Sequence, residues 1–559
     1  MSDPSKKQTF LHGAALLALA TAVVKVIGAL YKIPLQRIIG DDGFGYFTTA
    51  YDIYSVLLMI STAGLPIAMS KMISQYHALG HYNQVRQVYK TSRNIFLILG
   101  LGSTLVMMVL CQWLAAKLNT PDAWFSILCL APCALLMGFM STYRGFFQGQ
   151  ENMRPTSNSQ MLEAAFKLIV GLAAAFLIMR ITGSVPMAAG GAILGVTISC
   201  LVSTLYLYGK FRPAYRELPH SGDAAFGYRQ TAKALLAIAI PITIGSAGLQ
   251  LLTVVESGLY MDQIVELIDT DRYALPLIET LKTEVLANPE ISPDKVPYQV
   301  AANLKGIYSF CLTIFNMPCA FIIPITASVL PAITSALTLK NHQGVRETEE
   351  SAARITGLLS LPCAVGLTIL ARPVMALVGG YTGQRLDLAA QLMALLGISI
   401  FLYAIIQYTN VVLQSHGKVH IPVINMLLSG GAKLAVVYVL SGNPAIGILG
   451  TPIGTLLCYL CIAVLNLICI SRAVPQKPAL IRNLLRPLLP AAIMGVVVFL
   501  CQWAMTDLLQ ISSRVLLCGV PIAVGGVVYL LLVVLCKAIT REDCLLLPKG
   551  EKLAKLLKL

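Results

Sequence analysis

Six charged side chains stand inside stretches that are otherwise apolar, and their types restrict the chemistry they could do. Lys25 sits in the middle of LHGAALLALATAVVKVIGALYKIPL, and Lys32 follows seven residues later. A spacing of seven returns to the same helix face, so the two lysines share a stripe with Gly28. Asp52 lies in GYFTTAYDIYSVLLMISTAGLPIAMSKMIS, whose pattern breaks at Gly64-Leu65-Pro66. Glu163 precedes Lys167 by four residues, the favourable order for a pair one helical turn apart, and Lys433 occupies a later apolar stretch.

Counting ~1.5 Å per residue places Lys25, Lys167 and Lys433 near the middle of their segments. From there a side chain of ~6 Å does not cross the ~15 Å to a polar surface. Lys32 and Asp52 fall at similar depth on successive arms and are expected to pair. Four lysines against two acids leave about two positive charges in a shared cavity. Such a cavity repels cations and favours an anion such as a diphosphate. Lys25 has no acid nearby in its own segment and is the leading candidate for the binding group.

Over the whole chain 57% of residues are hydrophobic and only 12% charged, with a mean hydropathy of +0.75. A chain of 559 residues with that balance is a polytopic membrane protein. Its net charge of +15 resides in short loops between apolar segments, so it reports topology rather than a nucleic-acid partner. The cysteines are scattered; Cys458 and Cys461 form a CxxC inside an apolar segment with no second pair beside it. No metal or cofactor site is expected. No GxxxxGK[ST] motif occurs, so ATP is not the expected direct energy source; a coupling ion or the membrane potential takes that place. Lys6-Lys7, an apolar run and Ala18-Leu19-Ala20 imitate a secretory signal, but the apolar pattern continues through Leu30, which makes this an uncleaved first span.

Spans are expected at about 11–35, 46–70, 94–117, 122–143, 157–180, 186–208, 235–258, 307–335, 352–376, 387–413, 421–441, 446–470, 487–505 and 514–537, fourteen helices in all. Basic residues cluster in alternate loops, among them Lys71, Arg86, Lys90 and Arg93, then Arg144 and Arg154, then Lys210 to Lys233. Both termini are therefore expected in the cytoplasm. The stretch 261–300 carries eight acids against three bases and reads as an extracellular, solvated connector. At an offset of 266 Lys167 meets Lys433, and at 261 Gly45 meets Gly306, Ile53 meets Ile314 and Ser74 meets Ser335. The expected organisation is an N-terminal lobe (1–230), a C-terminal lobe (231–475) with an extracellular loop (261–305), two added spans (476–540) and a cytoplasmic amphipathic tail (541–559). Two lobes would leave a central cleft for the substrate.

VVKVIGALYKIPLQRIIGDDGFGYF, AGLPIAMSKMISQY and RGFFQGQENMRPTSNSQMLEAAFKL closely resemble segments of the bacterial polysaccharide-biosynthesis flippases, members of the multidrug/oligosaccharidyl-lipid/polysaccharide superfamily. The nearest branch resembles the MurJ-type lipid II flippases and stage V sporulation protein B. The resemblance implies an all-α, MATE-like fold with two six-helix lobes plus two C-terminal helices. It also implies export of an undecaprenyl-diphosphate-linked precursor across the cytoplasmic membrane by alternating access, not an enzymatic reaction. Lys25 matches the family's basic residue of span one, while Tyr31-Lys32 stands where a second arginine is common. Lys32, Asp52, Glu163, Lys167 and Lys433 complete the expected substrate-binding set. Arg144 of RGFFQG, Gly64 and Pro66 are expected gating or motif residues. The expected partners are the lipid-linked oligosaccharide and membrane lipids, around a monomeric protein. A multidrug/cation antiporter of the same superfamily and a membrane-embedded enzyme of envelope assembly are the alternatives. The antiporter would expose unpaired carboxylates at mid-depth, and the enzyme would gather its histidines and acids at one loop face.

Overall fold

A computed structural model describes residues 4–62, 64–150, 152–219, 226–289, 291–338, 340–473, 479–536 and 538–540. The tail 541–559 lies outside the described residues. Every regular element among those described is helical. The α-helices are α1 (Pro4–Thr62), α2 (Gly64–Ala78), α3 (Tyr82–Lys117), α4 (Trp124–Gly149), α5 (Arg154–Thr182), α6 (Val185–Arg216), α7 (Tyr228–Asp269), α8 (Pro276–Leu286) and α9 (Val296–Thr338). They continue with α10 (His342–Ile369), α11 (Ala371–Val374), α12 (Gly383–Ser415), α13 (His420–Ser441), α14 (Gly450–Ala473), α15 (Leu480–Leu485), α16 (Leu488–Trp503) and α17 (Arg514–Leu535).

Helix is the structure that such apolar sequence must take, because a membrane offers backbone groups no water and each N–H needs a carbonyl within its own segment. Where helices end, the chain uses specific devices. Gly183 stops α5 with φ +64° and returns its N–H to the Met179 carbonyl, while the Asn341 side chain accepts from the Gly344 N–H (3.0 Å) to open α10.

Among the described residues, eleven helices are long and apolar enough to cross a membrane. The other three expected spans, 11–35, 46–70 and 235–258, fall on α1, on α1 with α2, and on α7, parts of which lie outside the described residues. Inside α1 the helix is interrupted at Gly40, whose φ of 73° and ψ of −176° separate an arm carrying Lys25 and Lys32 from an arm carrying Asp52. Only a residue without Cβ holds that conformation cheaply.

The chain divides into two compact units. The first comprises residues 1–271 and 281–309; the second comprises 272–280 and 310–559. In the first unit α1 packs on α4, α5, α6 and α7, with α2 against α4 and α7. In the second, α10 packs on α12, α15 and α16, and α14 on α12 and α13.

The acidic stretch expected as a solvated connector is more ordered than that. Helix α8 buries Leu277, Ile278, Leu281 and Val285, an apolar stripe at helical spacing. In the first unit Lys282 pairs with Asp271, and Lys295 approaches Asp122 at 3.6 Å. In the second the Ala274 N–H reaches the Pro444 carbonyl (3.0 Å), and the Thr280 hydroxyl donates to Gln384 Oε1 (2.8 Å).

Residues 41–48 of α1 and 302–309 of α9 touch backbone to backbone within the first unit. A Cβ at Gly45 would overlap the Ala302 carbonyl, and one at Gly306 would overlap the Asp41 carbonyl. The contact is reciprocal: the sequence offset of 261 carries Asp41 to Ala302, Gly45 to Gly306 and Thr48 to Ser309. Those last two hydroxyls are themselves hydrogen-bonded at 3.3 Å. Small residues at both crossing points let the helices come this close.

Two measurements follow from this packing. Gly306→Val should cost about 1–3 kcal/mol in stability through overpacking, seen as a lower thermal midpoint of the detergent-purified protein. Gly28→Ala, where an added Cβ meets nothing within 4 Å, should leave the midpoint unchanged. For topology, a single cysteine at the exposed Ser292 should react with an impermeant maleimide on intact cells, whereas one at the exposed Ala78 should react only after permeabilisation.

Candidate functional site

Lys167 projects from α5 into a ring of tyrosines supplied by α1. Its ammonium lies 4.9 Å from the ring centre of Tyr51 and 5.3 Å from that of Tyr31. Both faces carry the negative side of an aromatic quadrupole, which holds a cation without neutralising it. Tyr31 is itself fixed, since its hydroxyl donates to the Ala192 carbonyl of α6 at 3.0 Å. Phe47 packs against Tyr31 (6.0 Å between centroids) and Tyr51 (4.9 Å), so the cage walls brace one another. The buried Tyr51 hydroxyl has no hydrogen-bond partner among the described residues, leaving an O–H donor unused beside the ammonium.

Lys32, one residue beyond Tyr31, lies within electrostatic range of both Lys167 and Asp52. Among the described residues it makes no hydrogen bond or ion pair. Its expected partner Asp52 is engaged elsewhere: Asp52 Oδ2 accepts from Lys305 Nζ at 3.1 Å. The same ammonium donates to Thr49 Oγ1 (2.8 Å) and to Ser257 Oγ of α7 (2.8 Å), and its side chain is only 1% exposed.

The expected pairing of Glu163 with Lys167 is likewise replaced. Arg144 of α4 reaches Glu163 Oε2 at 3.0 Å and donates through Nε to Ser159 Oγ at 3.0 Å. Its planar guanidinium donates to the carboxylate and to a second acceptor at once, bridging α4 to two residues of α5. Arg144, expected as a gating or motif residue, is thus built into the packing of α4 against α5.

Gly64 opens α2, where its N–H meets Thr243 Oγ1 of α7 (3.2 Å) and an added Cβ would overlap the Ala239 carbonyl. Pro66 stands in the first turn of α2, where a missing N–H costs no helical hydrogen bond. Lys433 lies half-buried on α13, in the second unit. The side chain of Lys25 lies outside the described residues.

Lys305 escaped the sequence reading because it directly follows the acidic stretch and precedes the apolar run beginning near Ile307. The signal that would have found it is the small-residue spacing of Ala302 and Gly306, which extends the packed helix one turn upstream. The tyrosines carried no signal of their own, because aromatic residues at helical spacing are ordinary core. Among the described residues, no cluster of histidine, cysteine, aspartate or glutamate could hold a metal ion.

Among the described residues, Lys32 and Lys167 have no carboxylate partner, and Lys167 lies over two tyrosine rings, one with an unspent hydroxyl. The arrangement can bind an anion. Replacing Tyr51 by Phe keeps the ring and removes only the hydroxyl, so anion binding should weaken by about 0.5–1.5 kcal/mol. Tyr51→Leu removes the cation–π contact as well and should weaken it further. Titration of the purified protein with inorganic pyrophosphate, followed by calorimetry, measures both.

The profile of the polysaccharide biosynthesis protein family matches residues 10–337, and that of the lipid II flippase MurJ matches residues 299–518. The chain is 24% identical to the lipid II flippase MurJ of Bacillus subtilis (strain 168), over 93% of this chain and 94% of that protein. It is also 24% identical to stage V sporulation protein B of the same organism, over 84% of this chain and 85% of the relative. Among solved structures, the lipid II flippase MurJ in an inward closed conformation superposes with a TM-score of 0.67 at 12% identity, covering 92% of this chain and 97% of that one. An inward-facing multidrug-resistance MATE transporter superposes with a TM-score of 0.57 at 15% identity, covering 81% and 98%. The fold is therefore of the MurJ and MATE kind. The motifs of the first five spans and the profile covering residues 10–337 agree: the chain belongs to the polysaccharide biosynthesis protein family.

Proposed function

We propose that this protein is a flippase that moves an undecaprenyl-diphosphate-linked cell-wall precursor, lipid II or a related lipid-linked oligosaccharide, from the inner to the outer face of the cytoplasmic membrane. The observation that carries the reading is the pair Lys32 and Lys167. Both lie in the first unit, among the described residues no carboxylate is bound to either, and Lys167 is held over Tyr31 and Tyr51. Positive charge inside a membrane protein is costly until an anion compensates it, so an anionic headgroup is the natural occupant. Its departure returns the lysines to water and the tyrosine faces, which resets the site. Lys25, on the stripe it shares with Lys32, adds a third positive charge in this reading.

Similarity to lipid II flippases over nearly the whole chain supports the same substrate class. The cation-antiporter alternative draws support from the MATE-like fold, yet it would use unpaired carboxylates, and Asp52 and Glu163 are paired with Lys305 and Arg144. Alternating access, a monomeric state, cytoplasmic termini and drive by membrane potential or a coupling ion belong to this reading.

The test is reconstitution. Purified protein in liposomes should translocate a fluorescent undecaprenyl-diphosphate-linked sugar, and depletion in cells should accumulate precursor on the inner leaflet. Lys167→Ala and Lys25→Ala should each reduce translocation about tenfold or more at normal protein abundance, since each removes a charge that the diphosphate needs. Lys25→Arg should retain part of the activity, because charge survives while donor geometry changes. Full activity of both alanine variants would refute the cationic site.

A further inference from the structure

We propose that Lys305 is a positioning residue that captures Asp52 and thereby keeps Lys32 available to an anion, without itself touching the substrate. The inference rests on the reading of Lys32 and Lys167 as a diphosphate site and assigns that site its polarity.

An ammonium has three N–H donors. Those of Lys305 are matched by three acceptors, Asp52 Oδ2 at 3.1 Å, Thr49 Oγ1 at 2.8 Å and Ser257 Oγ at 2.8 Å. Thr49 is in turn fixed by donating to the Gly45 carbonyl (3.0 Å), one residue of the backbone contact between α1 and α9. With the side chain 1% exposed and every donor spent, Lys305 has nothing left to offer a ligand.

Packing alone does not account for the pair. The contact between residues 41–48 and 302–309 is repeated on itself at an offset of 261, and that offset carries Lys305 back to Phe44 and Asp52 forward to Thr313. The related positions therefore hold a ring and a neutral hydroxyl, so the repeated helix contact does not itself require an ion pair. Nor do buried ion pairs generally add net stability over apolar groups of similar volume. What the pair changes is the field. Asp52 lies within electrostatic range of Lys32, and a carboxylate without Lys305 would take Lys32 as its partner and cancel the charge that an anion needs.

A second capture stands beside the second lysine. Arg144 holds Glu163, one turn from Lys167, at 3.0 Å. Asp52 and Glu163 are thus each claimed by a cation from a different helix, while among the described residues neither Lys32 nor Lys167 is hydrogen-bonded to a carboxylate.

The experiment compares wild type, Lys305→Met, Asp52→Asn and the double variant, as full-length protein in nanodiscs titrated with inorganic pyrophosphate and assayed for lipid translocation in liposomes. Lys305→Met should lose pyrophosphate affinity about tenfold or more as Asp52 turns to Lys32, whereas the double variant should return to within about threefold of wild type. A double variant as weak as the single one would mean that Lys305 contacts the anion itself, and would overturn the proposal. So would a Lys305→Met variant that binds like wild type. Should Lys305→Met fail to fold with Asp52 stranded, the double variant, which carries no stranded charge, decides alone on the same criterion. Wild-type protein that retains no pyrophosphate would overturn the diphosphate reading and this inference with it; wild-type binding with an inactive double variant would overturn the inference only.

Discussion

A charged group inside this protein is costly unless something compensates it, because the interior of a membrane-spanning helical unit offers neither bulk water nor free counterions. That constraint sorts the buried charges of the first unit into two kinds. Lys305 and Arg144 meet carboxylates and give further donors to hydroxyl acceptors. Lys167 meets only aromatic faces, and Lys32 meets no hydrogen-bonding group among the described residues. Aromatic faces stabilise an ammonium less than a carboxylate does, and they leave its net charge in place. The difference between a structural charge and a receptive one is therefore visible in the type of partner.

The geometry that permits this sorting comes from close helix approach. Lys305 reaches Thr49 and Asp52 because residues 302–309 of α9 lie directly on the backbone of residues 41–48. A side chain at Gly45 or Gly306 would hold the helices apart and move the ammonium away from its acceptors. In the same way Gly64 brings α2 onto α7 near Ala239. Small residues here set distances, and the distances set which charge meets which.

MurJ-like and MATE-like proteins share this fold, although one set is described as flipping a lipid and the other as conferring multidrug resistance. A common helical scaffold with different chemistry implies that polarity is decided by a few side chains within it. In this chain the paired and unpaired charges described above, Lys32, Asp52, Arg144, Glu163, Lys167 and Lys305, stand on α1, α4, α5 and α9 of the first unit.

The sequence by itself determined the class of the protein, its helical spans outside α1, α2 and α7, the motif resemblance that the family match bears out, and the identity of most buried charges. It could do so because apolar length and the rarity of charge within it are local properties, readable one segment at a time. Which charges meet is not local. Lys32 and Asp52 agree in depth, and Glu163 and Lys167 agree in helical spacing, yet each acid turns to a cation from another helix, 253 residues away at Lys305 and 19 away at Arg144. Depth and spacing constrain one coordinate of a side chain; only packing supplies the others. The tyrosine cage was silent in the sequence for the same reason, since Tyr31 and Tyr51 become a cation site only when α5 lays Lys167 across them.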